Sequence, residues 1–253
     1  MVLLGVVVSH PVLLDSIEAY REDAERLQRG IPGRCAAPYN YTSELEMADM
    51  DISDSIDQLE RYFVERPANY LVEAELAFEL KQLLNDQLQP ARLTGSHDSG
   101  GARRNIPDHS EYADAIISTE DIDRAHCEVS GSNFGLGSQQ MKLDLVLFDD
   151  EVNLSLEGGS KKFRVEDLVT AVEFKFIKNA KYLREDSKRY NLISDDIDRL
   201  DSLPAHVDTF CLVFANFDLT RRSDTQEALQ KLESRSDRVE ARHTHPKTEG
   251  LLN

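Results

Sequence analysis

Residues Thr170 to Asn179 read Thr-Ala-Val-Glu-Phe-Lys-Phe-Ile-Lys-Asn, and their alternation is that of a strand. Val172, Phe174 and Phe176 fall on one face, while Ala171, Glu173, Lys175 and Ile177 fall on the other. Glu173 and Lys175 therefore leave the same face, roughly 7 Å apart along the strand. A carboxylate and an ammonium on the inner side of an apolar strand are costly unless something uses them. A second strand-like run, Lys142 to Phe148, lies upstream and carries Asp144, 29 residues before Glu173.

The Glu-x-Lys spacing recurs elsewhere in a chain that is 30% charged. Glu79-Leu-Lys81 fits it inside a helical stretch, and the looser Asp186-Ser-Lys188 lies in a polar one. Only Glu173 and Lys175 sit in a β-branched and aromatic strand, so the setting carries the weight.

Working outward, the chain divides into recognisable segments. Val12 to Arg29 is helix-like, and Pro38 to Thr42 reads as a linker. Thr42 to Glu65 holds eight acids against Arg61 alone, yet Leu45, Ile52, Ile56, Leu59 and Phe63 suggest a helical apolar stripe. Pro67 to Leu88 is the clearest helix, with Leu76, Ala77, Leu80, Leu83 and Leu84 on one face and Pro90 stopping it. Projecting that face back three and four residues reaches Glu73, an acid at the head of a core-facing stripe. Ala91 to Glu111 is rich in Gly, Ser, Asp, Asn and Arg, which predicts a loop. Ala125 to Ser130 and Met141 to Phe148 read as strands, and Val152 to Val165 as an accessory hairpin around Gly158-Gly159. After the Glu173 strand come a basic connection, a short helix from Ser194 to Leu203, and a buried strand from Thr209 to Phe217. Ser223 to Glu233 is amphipathic, and a disordered tail is expected from about residue 234.

Three widely spaced cysteines, Cys35, Cys127 and Cys211, predict neither a disulfide framework nor a zinc site. Met1 to Val8 is apolar but too short to span a bilayer, and it lacks the basic flank of a secretory signal. The expectation is a cytoplasmic protein with no membrane partner. A net charge of −18 argues against phosphate binding at face value. However, lysines number 10 against 19 arginines, and tryptophan is absent. That acidic pattern resembles proteins of halophilic microbes, in whose medium the Debye length is about 3 Å. Local charge then matters more than the total. Lys175 to Arg189 supplies it, with six cations against Glu185 and Asp186, and Tyr182 and Tyr190 interleaved. Asp195, Asp196 and Asp198 read as a solvated helix face.

From residue 67 the order is helix, three strands, helix, strand. With Asp144, Glu173 and Lys175 this resembles the PD-(D/E)XK, or restriction-endonuclease-like, nuclease superfamily over residues 67 to 217, about 60% of the chain. The usual proline before the first acid is replaced by Leu143, and residues 91–124 and 150–169 would be insertions. The resemblance implies an α/β fold with a mixed central sheet flanked by helices. Residues 1–66 would form an N-terminal helical extension, 67–233 the nuclease-like domain, and 234–253 the tail. It implies a divalent-metal-dependent endonuclease, using Mg²⁺ or Mn²⁺, with DNA the favoured nucleic-acid partner. A homodimer is compatible with the sequence.

The resemblance also implies a division of labour. Asp144, Glu173 and the main-chain carbonyl of Phe174 would hold the metal. Lys175 would hold or help deprotonate the attacking water, with burial lowering its pKa against the pull of the acids. Glu73, with Glu128 as a weaker candidate, would orient water or a second metal. Lys178, Lys181, Arg184, Lys188 and Arg189 would follow the phosphate backbone. The alternative from another class is a nuclease-like domain without activity that serves as an interaction module.

Overall fold

The computed structural model describes residues 52–94, 121–136, 142–157 and 160–246. All of them belong to one unit spanning residues 50–253. Expectations for the helix at 12–29, the linker at 38–42, residues 95–120 and Cys35 lie outside the described residues.

The Glu173 strand, β7 (Leu168–Ile177), is buried at nine of its ten positions, all except Val169. A strand with so few polar residues needs cover on both faces, and it receives it. It is the middle strand of a five-stranded mixed sheet ordered β3-β4-β7-β8-β9, with β3 at Ala125–Ser130, β4 at Lys142–Phe148, β8 at Asp208–Ala215 and β9 at Val239–Thr244. β4 runs antiparallel to both β3 and β7, whereas β7, β8 and β9 run parallel. Parallel neighbours require crossovers. These are α3 (Lys188–Asp201) between β7 and β8, and α4 (Ser223–Glu233) between β8 and β9.

One face packs on α1 (Ile52–Glu65) and α2 (Glu73–Gln87). Ile52, Ile56, Leu59 and Phe63 recur at helical spacing and are buried with Val172, Phe174, Phe176, Phe210, Leu212 and Phe214. The Phe63 ring meets Phe214 at 4.9 Å between centroids and Phe176 at 6.2 Å, both edge-on. The opposite face packs on α3 and α4 through Ile193, Ile197, Leu200, Leu229 and Leu232. A smaller mixed sheet, ordered β2-β1-β5-β6, comprises β1 (Ala91–Thr94), β2 (Asp121–Ile122), β5 (Glu151–Glu157) and β6 (Ser160–Phe163). The expected accessory hairpin is its β5–β6 pair. Among the described residues no helix is long and apolar enough to cross a membrane.

Several boundaries differ from those the sequence suggests, each for a local reason. Pro67–Asn69 is a separate 3-10 turn, and α2 begins only at Glu73, where the Glu75 carboxylate accepts from the Val72 N–H at 3.2 Å. α3 starts at Lys188 rather than Ser194, because the Ser187 hydroxyl caps it by accepting from the Tyr190 N–H at 3.1 Å. Its polar first turn hides that start. Residues 239–244, expected in a disordered tail, form β9. Val239 is buried there, and Thr209 Oγ1 donates to the Arg238 carbonyl at 3.1 Å. α1, expected in an N-terminal extension, shares a core with the central sheet. Phe63→Ala should therefore cost about 3–5 kcal/mol in chemical denaturation. A chain starting at residue 67 should show no cooperative unfolding transition.

Candidate active site

The β4–β7 ladder runs from Phe148↔Leu168 to Leu145↔Val172 and goes no further. Beyond it the N–H groups on the β4 side of β7 need other acceptors. Asp144, the next residue of β4, accepts from the Phe174 N–H through Oδ2 at 2.8 Å. Two residues on, Glu73 accepts from the Phe176 N–H through Oε1 at 3.1 Å and ion-pairs with Arg189 of α3. The parted strands open a cleft of about 340 Å³. Glu73, Glu128, Asp144, Phe176, Lys178 and Arg189 line it. Glu128 pairs with Lys142 at 3.0 Å.

Glu173 and Lys175 lie behind this cleft, on the α3 side of the strand, only 2% and 7% exposed. The Lys175 ammonium sits among four oxygens. It donates to the Phe174 carbonyl at 2.9 Å and lies 2.7 Å from Asp196 Oδ2, 3.5 Å from Glu173 Oε2 and 4.0 Å from Asp144 Oδ2. Arg199 closes the cluster from α3, reaching Glu173 Oε1 and Asp196 Oδ1 at 2.6 Å each. The three ligands that the resemblance implies thus surround one positive charge. Lys178 and Arg189 border the open cleft, whereas Lys181, Arg184 and Lys188 line a separate cavity that Arg189 shares.

Three carboxylates, Asp144, Glu173 and Asp196, face two cations, Lys175 and Arg199, so one negative charge would be in excess were all three acids ionised. The excess explains why both members of a touching pair are shifted upward. Burial, then the Asp144 charge, push Glu173 up to about 8, against the opposing pull of Lys175 and Arg199. Burial draws Lys175 down, but Asp196, Glu173 and Asp144 outweigh it and hold the ammonium above the usual lysine value. The expected lowering of the Lys175 pKa is therefore reversed: this lysine is a fixed hydrogen-bond donor, not a base. Cys211, opposite Glu173 across the β7–β8 ladder, has its thiol pushed up to about 12 by burial and stays protonated.

Asp196 departs from the expected solvated face, for it is buried. Asp195 and Asp198 are exposed as expected. The spacing carries a signal of this. Asp196 is three residues after Ile193 and four before Leu200, on the apolar stripe, with Arg199 three residues on. A helix read from residue 194 hides that register.

Carboxylate and carbonyl oxygens are the donor type that Mg²⁺ or Mn²⁺ takes, but here they are grouped around the Lys175 ammonium. Asp144, Glu173 and the Phe174 carbonyl are the residues that would hold such a divalent ion. Among the described residues no three His, Cys, Asp or Glu side chains are grouped so as to hold a metal ion. Lys175 and Arg199 stand between the acids. A comparison with protein-family models, curated proteins and solved structures finds no match for this chain.

Lys175→Met removes the cation and leaves three acids with Arg199 alone. The variant should lose about 3–5 kcal/mol of stability in the absence of divalent ions. Added Mg²⁺ or Mn²⁺ should then raise its melting temperature more than that of the wild type, as read by differential scanning fluorimetry. The absence of a shift in both proteins would mean that the oxygens around Lys175 do not accept a divalent ion.

Proposed function

We propose that the chain is a divalent-metal-dependent nuclease of restriction-endonuclease-like fold, hydrolysing phosphodiester bonds with DNA as the favoured substrate. The observation that carries this reading is the convergence of Asp144, Glu173 and the Phe174 carbonyl on the position of one cation, beside an open cleft. The order α2, β3, β4, β7, α3, β8 and the central place of β7 support it. A bound Mg²⁺ or Mn²⁺ would supply charge neutralisation at the phosphate and a more acidic water.

The chain's own residues would do the rest. Lys175, held as an ammonium by Asp196, would donate to an oxygen of the water or the phosphate and fix its position. Lys178 and Arg189, at the mouth of the cleft, would meet the phosphates flanking the cut. Glu73 would hold Arg189 in place and present its second oxygen to the cleft. Asp196 and Arg199 would set the orientation of Lys175 and Glu173, in the manner of the partners that stand behind metal ligands.

A second reading has its own observation. Glu173 and Lys175 are almost inaccessible, and each is already paired to a charge on α3. That arrangement suits a nuclease-like domain that has lost activity and serves as an interaction module.

Cleavage of a panel of labelled DNA and RNA substrates in Mg²⁺ and Mn²⁺ separates the two. Asp144→Asn and Glu173→Gln should each reduce cleavage to background. Asp196→Asn, which acts through Lys175 and Arg199, should cost about 10–100-fold. Cleavage that persists in Glu173→Gln would overturn the mechanism, and a wild type without activity would favour the interaction module.

The nuclease reading also fixes a response to salt. Lys178, Lys181 and Lys188 form no ion pair among the described residues, whereas Arg184 is 3.4 Å from Asp186. Replacing Lys178, Lys181 and Arg184 together by alanine should leave about two phosphates without a protein cation. The slope of log affinity against log salt should flatten by roughly 0.9 for each phosphate no longer neutralised. An unchanged slope in a binding titration would place the nucleic acid elsewhere.

A further inference from the structure

Between β7 and α3 the chain makes a turn that is built more firmly than a solvated basic loop needs. Ala180–Leu183 is a 3-10 turn, capped by Asn179, whose side chain accepts from the Lys181 N–H at 3.0 Å. The buried Leu183 anchors it. Ser187 Oγ donates to the Tyr182 carbonyl at 2.7 Å, and the same hydroxyl caps α3. The turn and the helix start are therefore one unit. Between them lies a second cavity of about 450 Å³, within the roughly 300–1,000 Å³ of small-ligand sites.

The lining of this cavity has two characters. Lys181, Arg184, Lys188 and Arg189 supply four cations, and the acid among them, Asp186, is paired with Arg184. Tyr182 and Leu192 supply an apolar wall and are 38% and 41% exposed. The Lys181 ammonium lies 5.6 Å from the centre of the Tyr182 ring. A flat apolar surface beside a cluster of cations matches a nucleobase and its phosphate. Arg189 lines both this cavity and the cleft beside Asp144 and Glu73. One residue thus joins the two.

We propose that this cavity takes an unpaired nucleotide next to the phosphate held in the cleft. Its base stacks on Tyr182 and Leu192, and its phosphate is met by Lys188 and Arg189. The inference rests on the nuclease reading for the path of the strand, and it narrows the substrate. A base inside a duplex cannot reach Tyr182 without leaving its stack, so the favoured substrates are single strands, flaps and frayed or overhanging ends.

The test is fluorescence anisotropy with the full chain in divalent-free buffer. The probes are a labelled single strand, the same sequence as a blunt duplex, and that duplex with one overhanging nucleotide. The wild type should bind the single strand and the overhang more tightly than the blunt duplex. Tyr182→Ala should weaken those two by about tenfold, within what one stacked base contributes, and leave the blunt duplex unchanged. Tyr182→Phe should restore the preference. Leu192→Ala, at an exposed position, provides the same reading without a change of charge should Tyr182→Ala fail to fold.

Three results would overturn the proposal. They are equal affinity for all three probes, equal weakening of all three by Tyr182→Ala, and competition by a free nucleoside monophosphate as strong as by the oligonucleotide. Cleavage assays separate this inference from its basis. A Tyr182-dependent preference in a protein that cuts nothing removes the hydrolase and keeps the cavity. Cleavage by a protein whose Tyr182→Ala variant shows no change in substrate preference removes the cavity and keeps the hydrolase.

Discussion

β4 and β7 stop pairing after Leu145 and Val172, and the site depends on that separation. A strand in the middle of a sheet cannot leave its N–H groups unmatched in an apolar interior, because each would cost about 1–3 kcal/mol. Carboxylates take the place of the missing strand: Asp144 at Phe174 and Glu73 at Phe176. The acids are thus required by the backbone before any chemistry is considered. Both border the cleft, and α2 is pinned to β7 through Glu73. A structural demand and a chemical opportunity coincide at one point of the sheet.

Behind that point lies a charge cluster that hydrophobic packing alone would not produce. Taking Glu173, Lys175 and Asp196 out of water is unfavourable, and apolar residues of similar size would serve stability as well or better. With all three acids ionised the cluster carries one negative charge in excess, which a proton on Glu173 offsets near neutral pH. A further positive charge would balance it, and the oxygens of Asp144, Glu173 and Phe174 are those grouped around the Lys175 ammonium beside the cleft. α3 contributes Asp196 and Arg199, so the helix that crosses from β7 to β8 also holds the charges of β7 in place. Their orientation then depends on the packing of Ile193, Ile197 and Leu200 against the sheet.

The chain's charge of −18 and the local basic character of residues 178–189 are reconciled by distribution. Acids lie on the outside of α1 and α3, where Asp57 and Asp198 pair with Arg242 and Arg235. Positive charge collects between the end of β7 and the first turn of α3, around Arg189. At high ionic strength the acidic exterior is screened within a few ångströms, and only the local cations remain effective toward a phosphate.

The alternation of residues 170–177 established by itself that this segment is a strand and that Glu173 and Lys175 share one of its faces; its burial on both faces came from the structure. The apolar stripes of residues 52–63 and 76–84, and the runs at 142–148 and 209–215, were legible for the same reason: period and composition survive without knowledge of neighbours. Asp144, Glu173 and Lys175 could be singled out as charges in apolar settings. Asp196 and Arg199 were missed although Asp196 lies on the apolar stripe of Ile193 and Leu200, because the polar first turn hides where that helix begins. The sequence could not disclose the protonated state of Lys175, since the acid that decides it is 21 residues away along the chain and 2.7 Å away in space. β9 was hidden because its six residues hold one strongly apolar side chain, Val239, and become a strand only when β8 offers a parallel edge. Local pattern determines which segments can be buried; only the tertiary structure decides which charges meet, because electrostatic energy depends on distance in space and on the water excluded between the groups.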